Sequence, residues 1–145
     1  MHVFVTGGTG QTGPTVVAEL IAAGHTVTGL ARSDAAAARL ESLGAVPHRG
    51  ALDDLDSLRA GAAAADGVLH MAFGGSFADP DTLVRRDRAA IGALGEALVG
   101  SGKPLVSTSG TLVMKADRVG TEQDAPDPES VGLHHQRARR ADQGL

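Results

Sequence analysis

The chain opens on a short apolar run, His2–Thr6, which gives way at once to Gly7-Gly8-Thr9-Gly10-Gln11-Thr12-Gly13 and then to Pro14. Nothing else in the sequence restricts the fold as much. An unbroken apolar run suits a strand buried on both faces. Glycines let the backbone turn where side chains would collide. Proline just inside the next segment marks a helix start, because its missing N–H has no partner to lose there. Strand, tight turn and helix in direct succession form the first half of a βαβ unit. The glycines read either as G-x-G-x-x-G through Gly8, Gly10 and Gly13 or as T-G-x-x-G-x-x-G through Gly7, Gly10 and Gly13. In both readings one glycine allows the turn, one lets the backbone approach a diphosphate, and Gly13 permits close helix–strand packing. The amides and dipole at the helix N-terminus favour the negative charge. A flexible glycine-rich linker is the rival reading, and the strand before and helix after speak against it.

The remainder alternates short β-rich runs with longer Ala/Leu-rich stretches. A helix is expected over Pro14–Ala23, with Val16, Val17, Leu20 and Ile21 as its apolar stripe and Gly24 as its stop. A strand follows at His25–Leu30, then a helix capped by Ser33 or Asp34 that runs through Leu43 to Gly44. Ala45–His48 reads as a third strand. Asp53 or Asp54 caps a helix to about Ala64, and Gly67–Met71 is a fourth strand. Asp79-Pro80 starts a long helix to about Val99, with Leu83, Val84, Ile91, Leu94 and Leu98 inward, and Pro104–Thr108 is a fifth strand. The expected architecture is an α/β, doubly wound parallel sheet of the Rossmann type, with strand order 3-2-1-4-5. Residues 1–130 form the nucleotide-binding domain. The 131–145 tail, with Arg137, Arg139 and Arg140 and no apolar face, is expected to be loosely ordered or a short exposed helix.

The end of the second strand bears on which dinucleotide fits. An acidic residue there would hold a ribose 2′-hydroxyl and mark NAD. The sequence instead reads Gly29-Leu30-Ala31-Arg32-Ser33-Asp34, and a guanidinium beside a hydroxyl suits a 2′-phosphate. NADP is therefore preferred over NAD, with Asp34 assigned to helix capping and a solvated surface role as the alternative for Arg32. Of 145 residues three are Phe and none is Trp, Tyr or Cys, so the core is built from small aliphatic side chains, and disulfides and thiolate chemistry are excluded. The formal net charge of −4 gives no general attraction to nucleic acid or anionic membranes. No apolar run approaches ~20 residues, and no signal peptide is visible, so a cytoplasmic protein with no membrane partner is expected. The histidines His2, His25, His48, His70, His134 and His135 lack paired-ligand spacing, and no metal site is assigned.

Thr-Gly-Gly-Thr-Gly-Gln-Thr-Gly at residues 6–13, Leu52-Asp53-Asp54, His70-Met71-Ala72-Phe73 and Val106-Ser107-Thr108-Ser109-Gly110-Thr111 together resemble the short-chain dehydrogenase/reductase superfamily. Within it they are most similar to the extended or atypical branch, the NAD-dependent epimerase/dehydratase family, over about residues 1–130. The resemblance implies that Gly7, Gly10 and Gly13 with the backbone of Gln11 and Thr12 line the pyrophosphate, and that Arg32 and Ser33 meet the adenosine ribose. It places adenine at Leu52 and Asp53, the nicotinamide ribose between Ala72 and Phe73, and Thr108 beside the nicotinamide. Ser109 aligns with the family's substrate-polarising serine. A purely structural hydroxyl ending the fifth strand is the equal alternative for Ser109.

Three departures stand out. Gln11-Thr12 replaces a bulky pair, Ala51 replaces an acidic residue, and the family's Tyr-x-x-x-Lys pair is missing, since the sequence has no tyrosine and its lysines are Lys103 and Lys115. Extended members are also about twice this long. The expectation is a truncated member, or one whose reading frame diverges near Ser130. The function expected from the resemblance is that of an NAD(P)-binding oxidoreductase whose ancestral chemistry is hydride transfer between nicotinamide and a carbonyl or alcohol carbon. The alternatives are a non-catalytic NADP(H)-binding regulatory or sensor protein, and an inactive fragment. In the fragment, an exposed fifth-strand edge would favour a homo-oligomer.

Overall fold

A computed structural model describes residues 1–74, 79–108, 119–121 and 123–125. Among them run five strands, β1 (His2–Thr6), β2 (Thr26–Ala31), β3 (Val46–Arg49), β4 (Gly67–His70) and β5 (Leu105–Ser107). They alternate with four helices, α1 (Gly13–Ala22), α2 (Asp34–Ser42), α3 (Leu55–Ala64) and α4 (Pro80–Leu98). Every paired strand is parallel, and the sheet order is β3-β2-β1-β4-β5, the order expected from the sequence. The 131–145 tail lies outside the described residues.

Alternation along the strands divides the apolar residues between two faces. Phe4 and Val68 turn toward α3 and α4, where they join Leu58, Ala62, Ala90, Leu94 and Leu98. Val5, Val27 and Ala31 turn the other way, onto Val17 of α1 and Ala37 and Leu40 of α2. A central parallel strand must bury both faces, which is why β1 reads as a continuous apolar run.

Strands β2 and β3 each start one residue later than the sequence reading placed them, for one shared reason. Gly24, at φ +83°, and Gly44, at φ +84°, end α1 and α2 in the left-handed region. Each is followed by a residue whose N–H turns back into the helix: His25 donates to the Leu20 carbonyl at 3.0 Å and Ala45 to the Leu40 carbonyl at 3.0 Å. With Gly24 and Gly44 donating to Ile21 and Glu41 at 2.9 Å, both ends are Schellman motifs. The amides of His25 and Ala45 are thus committed to helix ends, and the strands begin at Thr26 and Val46.

Candidate functional site

Between β1 and β4 the strand order reverses direction, and outside their C-terminal ends such a sheet leaves a crevice. Here it is a cleft of about 460 Å³, walled by the loops after β1, β2, β3 and β4 and by Arg86 of α4.

The turn after β1 forms its centre. Gly7 sits at φ +78°, and a side chain there would lie 2.7 Å from the Ala72 amide nitrogen, so only glycine passes between the two loops. The Gly10 N–H donates to the Gly7 carbonyl at 2.9 Å and closes the turn. Gly8 instead faces the core, toward Leu40 and Val17. The backbone therefore uses the T-G-x-x-G-x-x-G spacing, with Gly7 as the turn residue. At the start of α1, Thr12 occupies the N-cap, yet its side chain makes no cap hydrogen bond. The helix ladder begins where Val16 N–H meets the Thr12 carbonyl at 3.2 Å, leaving earlier amides without an intrahelical partner. The other three described helices are capped by side chains: Ser33 accepts from Ala36, Asp54 from Ser57 and Asp79 from Thr82. The helix that follows the glycine turn keeps its N-terminal donors open.

On the β2 side, Arg32 is exposed and lines the cleft. Among the described residues it has no ion-pair partner, whereas Arg49 pairs with Asp34, Arg59 with Asp56 and Glu96, and Arg86 with Asp53. Asp34 is not the cap of α2, as the sequence reading assigned it. Ser33 is, and the Asp34 carboxylate is taken by Arg49. Asp54 rather than Asp53 caps α3, which frees Asp53 to meet Arg86 at 2.5 Å. That hydrogen bond, with one from the Asp53 backbone, holds the Asp53 carboxyl below the ordinary carboxylate range.

Of the residues the sequence singled out, Gly7, Gly10, Gln11, Thr12, Arg32, Leu52, Asp53, Ala72 and Phe73 line the cleft. Gly13 lies beneath the turn against Gly7 and Gly8. Ser33 caps α2, and Thr108 stands at the end of β5 with its N–H on the His70 carbonyl at 3.0 Å. Ser109 lies outside the described residues. Sequence reasoning missed Arg86, which comes to the cleft only through packing of α3 on α4. It also assigned His70 no metal-binding role and no other functional one, and did not single out Asp87, although both are buried beneath the β4 side. Among the described residues no helix is long and apolar enough to cross a membrane.

Comparison with known proteins agrees with this geometry. The chain is 44% identical over 132 residues to an uncharacterized protein of Saccharomyces cerevisiae, covering 90% of this chain and 44% of the yeast protein. It superposes on UDP-glucose 4-epimerase from Bifidobacterium longum in complex with NAD+ and UDP with a TM-score of 0.79, at 18% identity, over 99% of this chain and 48% of that one. For triphenylmethane reductase from Citrobacter sp., complexed with NADP(H), the TM-score is 0.69 at 21% identity, over 98% of this chain and 46% of that one. At these identities the two structures bear on the fold alone, and the chain spans about half the length of each relative. The family model for the NAD dependent epimerase/dehydratase family matches residues 3–130, and the chain belongs to that family.

Proposed function

We propose that the cleft binds a nicotinamide dinucleotide, NADP(H) in preference to NAD(H), and that the chain is the cofactor-holding part of an oxidoreductase acting on a carbonyl or alcohol. The observation that carries this reading is the uncapped N-terminus of α1 behind the Gly7–Gly10 turn. Its open amides and dipole suit a diphosphate, and the absence of Cβ atoms at Gly7 and Gly10 lets that group come close. The cleft, at about 460 Å³, falls within the usual range for small-molecule sites. A dinucleotide held there would supply hydride exchange at the nicotinamide ring.

In this reading Gly7, Gly10, Gln11 and Thr12 hold the pyrophosphate, Leu52 and Asp53 flank the adenine, and Ala72 and Phe73 border the far ribose. Thr108 and Ser109 belong to the nicotinamide end. The preference for NADP(H) rests on Arg32. Neighbouring arginines are neutralised by carboxylates, while Arg32 is left as a cation at the cleft wall, and the one nearby acid, Asp34, is occupied by Arg49. Titration calorimetry of the wild type and Arg32→Ala with NADPH and NADH tests it. The wild type should bind NADPH more tightly, and the substitution should erase the difference. Equal affinities unaltered by the substitution would refute the preference.

A second reading is that the chain binds the dinucleotide and reports on its level without turning it over. Steady-state assays with aldehydes, ketones and sugar nucleotides separate the two, since a sensor binds cofactor and oxidises none.

A further inference from the structure

Three polar or charged side chains are buried among the described residues, Thr6, His70 and Asp87, and they form one connected chain. Thr6 and His70 are the last residues of β1 and β4 and are register partners across the sheet. Thr6 Oγ1 lies 2.7 Å from His70 Nδ1, and His70 Nε2 lies 3.2 Å from Asp87 Oδ1. At the other end, the Ala72 N–H donates to Thr6 Oγ1 at 3.3 Å.

The donors and acceptors fix a direction. A carboxylate only accepts, so a neutral imidazole here places its proton on Nε2 toward Asp87 and presents Nδ1 as an acceptor. The Thr6 hydroxyl then donates to Nδ1, which turns its oxygen lone pairs to the Ala72 amide. Without Asp87 the imidazole is free to take the other tautomer, and Nδ1–H competes with Ala72 for the same oxygen.

Burying an imidazole and a carboxylate in an aliphatic core contributes little to stability, and apolar replacements of similar volume are often neutral or better. Their effect falls instead on Ala72, which stands where the β4 loop presses on Gly7. We propose that His70 and Asp87 are positioning residues: through Thr6 they hold Ala72 and Phe73 as a fixed wall for the nicotinamide half of the bound cofactor. This rests on the dinucleotide reading and adds to it a division of labour within the cleft. Strand order puts Ala72 across the glycine turn from Arg32, so the adenosine half is gripped independently of the network.

The test compares the whole cofactor with its adenosine half, by calorimetric titration of NADPH and of 2′,5′-ADP into the wild type and four variants. Thr6→Val and Asp87→Leu remove one hydrogen-bonding link each. They should weaken NADPH roughly tenfold, the equivalent of about one buried hydrogen bond, and change 2′,5′-ADP binding less than about twofold. Thr6→Ser and Asp87→Asn keep a hydroxyl and a carbonyl acceptor in place and should bind both ligands as the wild type does. Parallel loss of both ligands, no loss of either, or equal damage from the conservative variants would overturn the proposal. Thr6→Val is nearly isosteric and keeps the test open if Asp87→Leu does not fold. Wild-type protein that binds neither NADPH nor NADH would overturn the dinucleotide reading and this proposal together. Normal wild-type binding with a flat variant series would overturn this proposal alone.

Discussion

Gly13 rests directly on the carbonyl of Gly7: a methyl group at Gly13 would lie 2.2 Å from that oxygen and 2.5 Å from the carbonyl carbon of Gly8. Both obstacles are backbone, so neither has a rotamer into which to retreat. Gly10 differs, because a methyl there would meet only the Gly7 oxygen, at 3.2 Å. Gly13→Ala should therefore lower stability by about 2–3 kcal/mol through overpacking. Gly10→Ala should keep most of its stability yet lose at least about tenfold in dinucleotide affinity, because its methyl enters the space kept for the diphosphate. Urea unfolding and calorimetry separate the two effects. A Gly10→Ala protein with undiminished affinity would place the diphosphate elsewhere.

Phe4 and Gly61 make a second close pair. The Phe4 ring is fully buried, and a methyl at Gly61 would lie 2.4 Å from its Cζ. Gly61→Ala should destabilise the protein by about 1–3 kcal/mol despite alanine's better helix propensity. Phe4→Leu alone should also destabilise, but the double variant should be more stable than the sum of the two losses predicts. Additive losses in a double-mutant cycle of urea midpoints would show that the two residues do not share this space.

These pairs show what can be read along a chain and what cannot. Strand order, helix ends and the glycine turn are local: Gly24 and Gly44 announce their helix stops, and the crossover lengths dictate a parallel sheet. The cap of α3 stayed ambiguous because Asp53 and Asp54 are chemically equivalent until Arg86, 33 residues away, engages one of them. Asp87 carried a legible signal that its charge concealed. It falls at helical spacing with Leu83, Ala90, Ile91 and Leu94, on the buried stripe of α4, whereas its neighbours Arg86 and Arg88 make the segment read as a solvated face. A carboxylate on the apolar stripe of a helix calls for a partner from the sheet beneath, and His70 is that partner.

The Asp53–Arg86 pair carries a pH signature. Its hydrogen bond to Arg86, chiefly, holds the Asp53 carboxyl low. In Arg86→Met the Asp53 titration followed by carboxyl-carbon NMR should move up toward the ordinary value of about 4. A group whose folded pKa is depressed contributes stability that is present above its unfolded pKa and lost as pH falls through the folded value. The stability gap between wild type and Arg86→Met should therefore be steady at neutral pH and close below about pH 4. It should also shrink at about 1 M salt, because the pair is exposed. An unchanged Asp53 titration in Arg86→Met would mean that Arg86 does not set it.

Arg49 provides the sharpest test of cofactor choice, because it pairs with Asp34, the acid two residues from Arg32. With Arg49 in place, the Asp34 carboxylate is neutralised two residues from Arg32. Arg49→Ala leaves that carboxylate unpaired at the N-terminus of α2, beside the position assigned to the 2′-phosphate. NADPH binding should weaken several-fold, and NADH, lacking the phosphate, should change little. If loss of positive charge alone were responsible, the double variant Arg49→Ala/Asp34→Asn would bind NADPH as weakly as Arg49→Ala. If the exposed carboxylate is responsible, the double variant should regain wild-type affinity, and Asp34→Asn alone should bind NADPH at least as well as wild type. Calorimetry on the three variants decides between the two accounts. Failure of Asp34→Asn to rescue would remove Asp34 from the balance and leave the discrimination to Arg32 by itself.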